Sequence, residues 1–345
     1  MQQEQQQEQQ QEQQREETPH DVREEPHHRA RSDDADGRGE APHRRRPRGR
    51  VSGSSRQAPR DCHQSRGLSH FLRSLLSGIP WSEGATAEFD LLFDAPAGGV
   101  IELHNANGKT RVIGEDRPDV ALRGIKHARA ESEHAATQLL TEIRVRADEA
   151  GGALELEAEI PRKWNRHGHI DMELRVPRDV EVHVTSSNGK VCFQGLRHGA
   201  RANSSNGSVR LDDIVGDIDI TTANAKVCCS CTCGRLVARS SNGKIEVGDH
   251  SGAIDATTSN GMIRASLKSL ADDGVTLATS NGRIVLELPE NPDAEVDIRV
   301  DNGVIRSELC FGYDTQETAG RLRGRLGRGG SPIKLRTSNG TISVR

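Results

Sequence analysis

The sequence predicts an all-β fold: a right-handed parallel β-solenoid with 18–21-residue coils, one inserted helix and a disordered N-terminal tail. Three observations predict it. An Asn-Gly step recurs at Asn188, Asn206, Asn242, Asn260, Asn281, Asn302 and Asn339, with Asn224-Ala225 in the same register. The intervals are 18 residues four times, 21 twice and 37 once. Aligned on that Asn, small aliphatic residues fall into columns. Finally, 345 residues include five Phe, two Trp and one Tyr against 35 Gly. A fixed period of this length marks stacked units, and a flat coil interior takes slim aliphatics rather than rings.

The first segment, 1–66, reads as a disordered Gln/Glu/Arg-rich tail. Residues 1–14 hold ten Gln and three Glu and have no apolar face to dock. Charge is segregated: 1–40 carry a net −7, and 41–85 a net +7 that includes Arg44, Arg45, Arg46, Arg48 and Arg50. In the next segment, 67–85, Leu68, Phe71, Leu72, Leu75, Leu76 and Ile79 follow a helical stripe that Pro80 stops. This amphipathic helix is expected to pack on the domain behind it. The first 20 residues lack the apolar stretch of a secretory signal, which points to the cytoplasm. No run of 18 apolar residues is present, so no transmembrane segment is expected.

The solenoid is assigned to 86–345. Three residues after the Asn come Val191, Val209, Val227, Ile245, Ile263, Ile284, Ile305 and Ile342. Five after come Phe193, Leu211, Cys229, Val247, Ala265, Leu286, Ser307 and Val344. Six and four before, the pairs run from Val182 and Val184 to Ile333 and Leu335. Spacing by two puts all four columns on one interior. Each unit is then strand, Asn-Gly corner, strand and a variable second corner. An Asn-Gly pair can also mark a hairpin, but equal residue classes at equal offsets favour stacked coils. Asn107, Asn188, Asn206, Asn224, Asn242, Asn260, Asn281, Asn302 and Asn339 form the expected corner ladder. Left-handed backbone suits Asn and Gly at a corner, and stacked Asn side chains can bond the backbone of adjacent corners. The three extra residues of the longer units belong at the second corner, in 268–274 and 289–294. Right-handedness follows the rule for parallel crossovers.

Before the regular repeats, Ile101, Leu103, Thr110 and Val112 fit the four columns around Asn107. A helix is expected at about 126–142, with strands at 143–147, 153–160, 170–176 and 180–185. A Gly/Arg-rich excursion occupies 310–332. The last coil, ending at Arg345, would present a pairing edge unless that excursion covers it.

The Ser/Thr-Ser-Asn-Gly-x-Ile/Val units now carry a resemblance. With the run Gly329-Gly330-Ser331-Pro332-Ile333-Lys334-Leu335-Arg336-Thr337-Ser338-Asn339-Gly340-Thr341-Ile342, the Phe89 to Asn107-Gly108 opening, the Ala-rich helix and Val176-Pro177, residues 86–345 resemble the bacterial putative-adhesin β-strand-repeat family. That is a domain of unknown function. The resemblance implies a β-solenoid, no known catalytic residues, and a cell-envelope or surface role.

Chemistry-bearing residues are sparse. Of seven cysteines, 228, 229, 231 and 233 cluster with C-x-C spacing, which is not that of a zinc site. Cys229 should point inward between Leu211 and Val247. Cys228 should point outward between Arg210 and Glu246, where a guanidinium would favour its thiolate. Cys231 and Cys233 are weak metal candidates, with Asp213 and Asp249, then Val215 and Ser251, as neighbours one coil away. His167-Gly168-His169 reads as a solvated loop, and Asp212, Asp213, Asp217 and Asp249 as corner carboxylates. No Gly-x-Ser-x-Gly motif, phosphate loop or facing acid pair appears, so no enzyme and no cofactor are expected.

The outward positions two and four residues after the Asn hold a basic stripe, Lys109, Lys190, Arg210, Lys226, Lys244, Arg264, Arg283 and Arg306, interspersed with Ser208, Met262, Val304, Cys192 and Glu246. In a chain of net charge −4, this stripe is the candidate anionic-ligand face. The expected partners are an anionic glycan, an envelope component or a protein. Nucleic acid is disfavoured, since stacking platforms need aromatic faces. The expected function is a non-enzymatic binding module of the adhesin type. The alternative is a cytoplasmic self-assembling scaffold, similar to bactofilins in plan, with self-association through a terminal coil.

Overall fold

The computed structural model describes residues 83–162, 167–312 and 315–345, all within one compact unit, Gln64–Arg345. The tail expected at 1–66 and the helix expected at 67–79 lie outside the described residues. Of the linker assigned up to 85, Glu83–Ala85 instead begin the first strand.

Strands β1 (Glu83–Asp94), β2 (Val100–Asn107), β3 (Thr110–Glu115) and β4 (Asp119–Ala130) precede the helix α1 (Glu133–Glu142). β5 (Arg144–Ala150), β6 (Ala153–Glu159) and β7 (His167–Pro177) follow it. The repeats supply β8 (Glu181–Asn188), β9 (Val191–Gln194), β10 (Ala200–Ser204), β11 (Val209–Val215), β12 (Ile218–Thr222), β13 (Val227–Ser240), β14 (Ile245–Asn260), β15 (Ile263–Glu287) and β16 (Ala294–Ser307). β17 (Gln316–Thr318), β18 (Arg321–Leu326) and β19 (Ser331–Val344) come last.

The molecule is a β-solenoid. Segments before the corner Asn pair in parallel in the order β6, β2, β8, β10, β12, then the later parts of β13, β14 and β15. Segments after it pair in parallel in the order β7, β3, β9, β11, β13, β14, β15. Register matches equal repeat offsets, as in Ile218↔Leu236 and Val209↔Val227. Like therefore stacks on like, and the four aliphatic columns are buried almost throughout. Each fully buried Val, Leu or Ile contributes about 1.5–3 kcal/mol, so the column is the main source of stability. The three extra residues of the first long unit fall between the pairs Gly252↔Leu270 and Ile254↔Val275, at the second corner.

Chain order fails at the far end. β19 lies between β15 and β16, pairing in parallel with both. The coil around Asn302 is thus the terminal one, not the coil ending at Arg345. β18 pairs antiparallel with the first half of β16, and β17 with β18. The 310–332 excursion covers the first half of β16, pairing along Ala294–Arg299 and accepting the Val300 N–H at Gly320 O. Beyond it the second half of β16 has β19 on one side, so Ser307, expected inside, is exposed and Val304 is 52 % exposed.

At the near end the strands turn antiparallel, with β5 on β6, and with β4 on β7 and β1 on β4. The expected helix is shorter than 126–142, because 126–130 continue β4 opposite His167–Ile170. Ser132 starts α1: its Oγ accepts from the Ala135 N–H at 3.2 Å. The helix buries Ala135, Ala136, Leu139 and Leu140.

The corner ladder is continuous but differs in chemistry from expectation. Each Asn Nδ2 donates to the Oδ1 of the next Asn, not to backbone. The order is Asn188 to Asn107, then Asn206, Asn224, Asn242, Asn260, Asn281, Asn339 and Asn302, at 2.9–3.1 Å. Nor are these Asn left-handed. The non-glycine residues with positive φ include Asp213 (55°), Cys231 (52°) and Asp249 (53°), stacked at the second corner. Asn224→Ala removes two rungs, to Asn206 and from Asn242. A loss of about 1 kcal/mol is expected by chemical denaturation, with the fold retained.

Candidate functional site

The segments following the Asn form one outward face, and the structure places all eight predicted cations on it or at its end. It also neutralises half of them. Lys226 and Lys244, on adjacent coils, both reach Glu246, which lies two residues after Lys244. The hydrogen bonds from Lys226 and then Lys244 hold the Glu246 carboxyl at about 2. Arg264 donates to Glu287 at 2.7 Å, and Arg345 shares the same carboxylate at 2.5 Å. Lys109 lies 3.5 Å from Asp171, and Arg111 3.8 Å from Glu173. Arg283 and Arg306 sit farther along, separated by the β19 coil.

What remains is a patch at the near end. Lys190, just before β9, and Arg210 on β11 are exposed, and neither has a carboxylate within ion-pair distance among the described residues. With Lys109 and Arg111 of β3 they line a cleft of about 390 Å³, floored by Phe193 and bounded by Gln194 and Asp212. Arg111 donates to Gln194 across one coil at 3.3 Å. A groove with two unmatched cations and two partly matched ones attracts anions; it presents no nucleophile with a base beside it.

The cysteines follow their columns. Cys229 is buried between Leu211 and Val247, and burial pushes its thiol far up. Cys228 departs from the activated thiol expected beside Arg210. Its Sγ lies 3.4 Å from Glu246 Oε2, and burial, then that carboxylate, raise its pKa. Cys231 and Cys233 are exposed. Asp213, beside Cys231, is held by Arg197 at 2.9 Å, and Asp249 faces Lys268 at 3.9 Å. Among the described residues no group of three His, Cys, Asp or Glu side chains is arranged to hold a metal ion. His167–His169 belong to β7 rather than to a loop, and His169 stacks on His127 at 4.4 Å.

Two features escaped the sequence reading. The position two before the Asn is also interior: Ser186, Ser204, Thr222, Ser240, Thr258, Thr279 and Thr337 are buried there. Thr258 and Thr279 donate to the carbonyls of Gly243 and Gly261, 3.2 and 3.4 Å away. The alternation by two was the available signal. The other feature is a group of cations on the opposite sheet, brought together by the antiparallel β18.

Comparison with known proteins agrees with this architecture. The family model described as Toastrack DUF4097 matches residues 101–345. Among solved structures, the chain is similar to a putative adhesin from Bacteroides fragilis, with 12 % identity and a TM-score of 0.36, covering 78 % of this chain and 100 % of that one. A putative adhesin from Parabacteroides merdae shows 11 % identity and a TM-score of 0.33, covering 76 % and 97 %. A putative lipid binding protein from Parabacteroides distasonis shows 12 % identity and a TM-score of 0.28, covering 76 % and 97 %. No curated protein matches. Among the described residues no helix is long and apolar enough to cross a membrane.

Proposed function

Because the chain belongs to the Toastrack DUF4097 family, we propose that it is a non-enzymatic binding module that takes an anionic glycan or other envelope polymer along one solenoid face. The observation that carries this reading is the cleft of Lys109, Arg111, Lys190 and Arg210, where Lys190 and Arg210 lack carboxylate partners among the described residues. An elongated polyanion lies along stacked coils about 4.8 Å apart, so successive cations meet successive charges. In the middle of the predicted stripe Lys226, Lys244 and Arg264 are paired with Glu246 and Glu287, and Arg283 and Arg306 lie apart from the cleft, on either side of β19.

The family match does not support the scaffold alternative, and the coil ending at Arg345, expected to present its pairing edge, is enclosed between β15 and β16.

Polygalacturonate provides the test. K190E/R210E is expected to weaken its binding about tenfold or more, equivalent to about 1.4 kcal/mol, without moving the denaturation midpoint. Unchanged affinity would remove this face as the site. Protease accessibility of the domain on intact cells checks the envelope setting separately.

A further inference from the structure

We propose a second anion site on the opposite sheet at the far end of the solenoid, built on β16, β18 and β19 and shaped for tetrahedral oxyanions, phosphate or sulfate, carried on a polymer.

Its centre is Asp297 on β16. Arg321 clasps it with both Nε (3.2 Å to Oδ1) and Nη2 (2.9 Å to Oδ2). Arg323 places Nε and Nη2 at 3.1 and 2.9 Å from Oδ2. Arg299 adds a looser pair at 3.4 and 3.5 Å. Burial pushes this carboxyl up, but the hydrogen bonds from Arg321, Arg323 and Arg299 outweigh it and hold the group well below the usual range.

One carboxylate therefore orients three guanidiniums and neutralises one. The next coil adds Lys334 and Arg336, in register with Asp297 and Arg299. β18 adds Arg325, opposite Glu295. All three are exposed and have no carboxylate within ion-pair distance among the described residues. On the side away from β16, Lys334 and Arg336 are flanked by Thr276 and Ala278, which carry no charge. Six cations thus share one surface with three carboxylates, Glu295, Asp297 and, at its corner end, Asp301. A cleft of about 440 Å³ opens there, lined by Glu295, Asp297, Gln316, Arg323, Arg325 and Lys334.

The residue types choose the ligand class. Guanidinium forks bind phosphate and sulfate oxygens in pairs, whereas an ammonium acts as a point charge. Asp297 occupies one edge of each clasped fork and leaves the remaining N–H donors of Arg321 and Arg323 for an oxyanion. It is a positioning residue: it holds long side chains in place before the ligand arrives, which lowers the ordering cost of binding. An uncovered β16 edge would not assemble this grid, because Arg321, Arg323 and Arg325 come from the antiparallel hairpin.

The test uses the full chain with tripolyphosphate and dextran sulfate as probes, by calorimetry at low salt. K334E/R336E changes two exposed cations that carry no packing role. It is expected to weaken both probes tenfold or more, while leaving polygalacturonate affinity, which rests on Lys190 and Arg210, unchanged. The stronger probe names the source, phosphate or sulfate. Asp297→Asn releases the guanidiniums that its carboxylate orients and is expected to weaken binding while steepening its salt dependence, provided its melting transition is intact. The proposal is overturned if the native chain binds neither probe, if K334E/R336E binds both as the native chain does, or if polygalacturonate competes equally at this site. Loss of polygalacturonate binding on K190E/R210E alone would leave the two sites independently established.

Discussion

Gly207→Ala is expected to destabilise the domain by about 2–4 kcal/mol, read as a lowered denaturant midpoint with an unchanged slope. A Cβ at Gly207 would sit 1.5 Å from the carbonyl oxygen of Gly189 in the coil beneath. Nothing flexible is there to move, since the obstacle is backbone. The same contact recurs along the column, at 1.8 Å for Gly282 against Gly261 and 1.8 Å for Gly340 against Gly282. Gly207 and Gly282 lack a positive φ, so conformational freedom is not what selects glycine there. Close stacking of one corner on the next is. Ala225 is the exception, and it is seated 6 % exposed. Gly248→Ala is the control. Its nearest obstacle is 3.9 Å away, at Cys229 O, so the change should be neutral or add a few tenths of a kcal/mol by restricting the unfolded chain. Equal loss at both positions would mean that the corner contact is not the cause.

The same stacking explains what the sequence could reveal. Strand alternation and an 18-residue period are local properties, so the coil, its inward columns and the near neighbours of Cys229 and Cys231 were readable. The position of β19 was not. Residues 296–307, 275–286 and 333–344 all satisfy the repeat, and nothing local says which stacks on which. One signal was present: Ser307 occupies an interior column where Leu286 and Val344 stand in the other two coils. A polar residue there belongs to the coil with nothing stacked above that half.

The candidate face was half legible for a related reason. Glu246 lies within the repeat and its neutralising role could be anticipated from the column. Asp171 and Glu173 come from β7, outside the regular repeats, and Glu287 from a position one step farther along the strand. Reading cations by column counted the charges but not their partners. The Asp297 group was invisible because its arginines arrive on an antiparallel strand with no repeat offset.

Acidification below about pH 6.5 should destabilise the domain, and His250 is the group responsible for a defined part of that loss. It is fully buried at the second corner, where Ile214 stands two coils earlier. Its Nδ1 lies 2.8 Å from Thr232 Oγ1, and its Nε2 lies 3.2 Å from the Ala253 carbonyl oxygen. Burial lowers its pKa below 6.5, and backbone hydrogen bonding only partly offsets the shift. The unfolded chain therefore binds this proton first. Stability falls as pH drops below the unfolded value and stops falling below the folded one, with a slope approaching about 1.4 kcal/mol per pH unit for one proton. His169 contributes in the same direction, through burial and then through His127. The carboxylates do not interfere in this window: Glu246 and Asp297 are held low by their cations and release their stabilisation only at more acid pH. Replacing His250 alone would strand the Thr232 hydroxyl, so the informative variant is T232V/H250I, which extends the aliphatic column from Ile214. Its denaturation free energy should lose the His250 share of the slope below about pH 6.5 and retain the His169 share. If the double variant keeps the full native slope, His250 is not the buried neutral imidazole that its surroundings require.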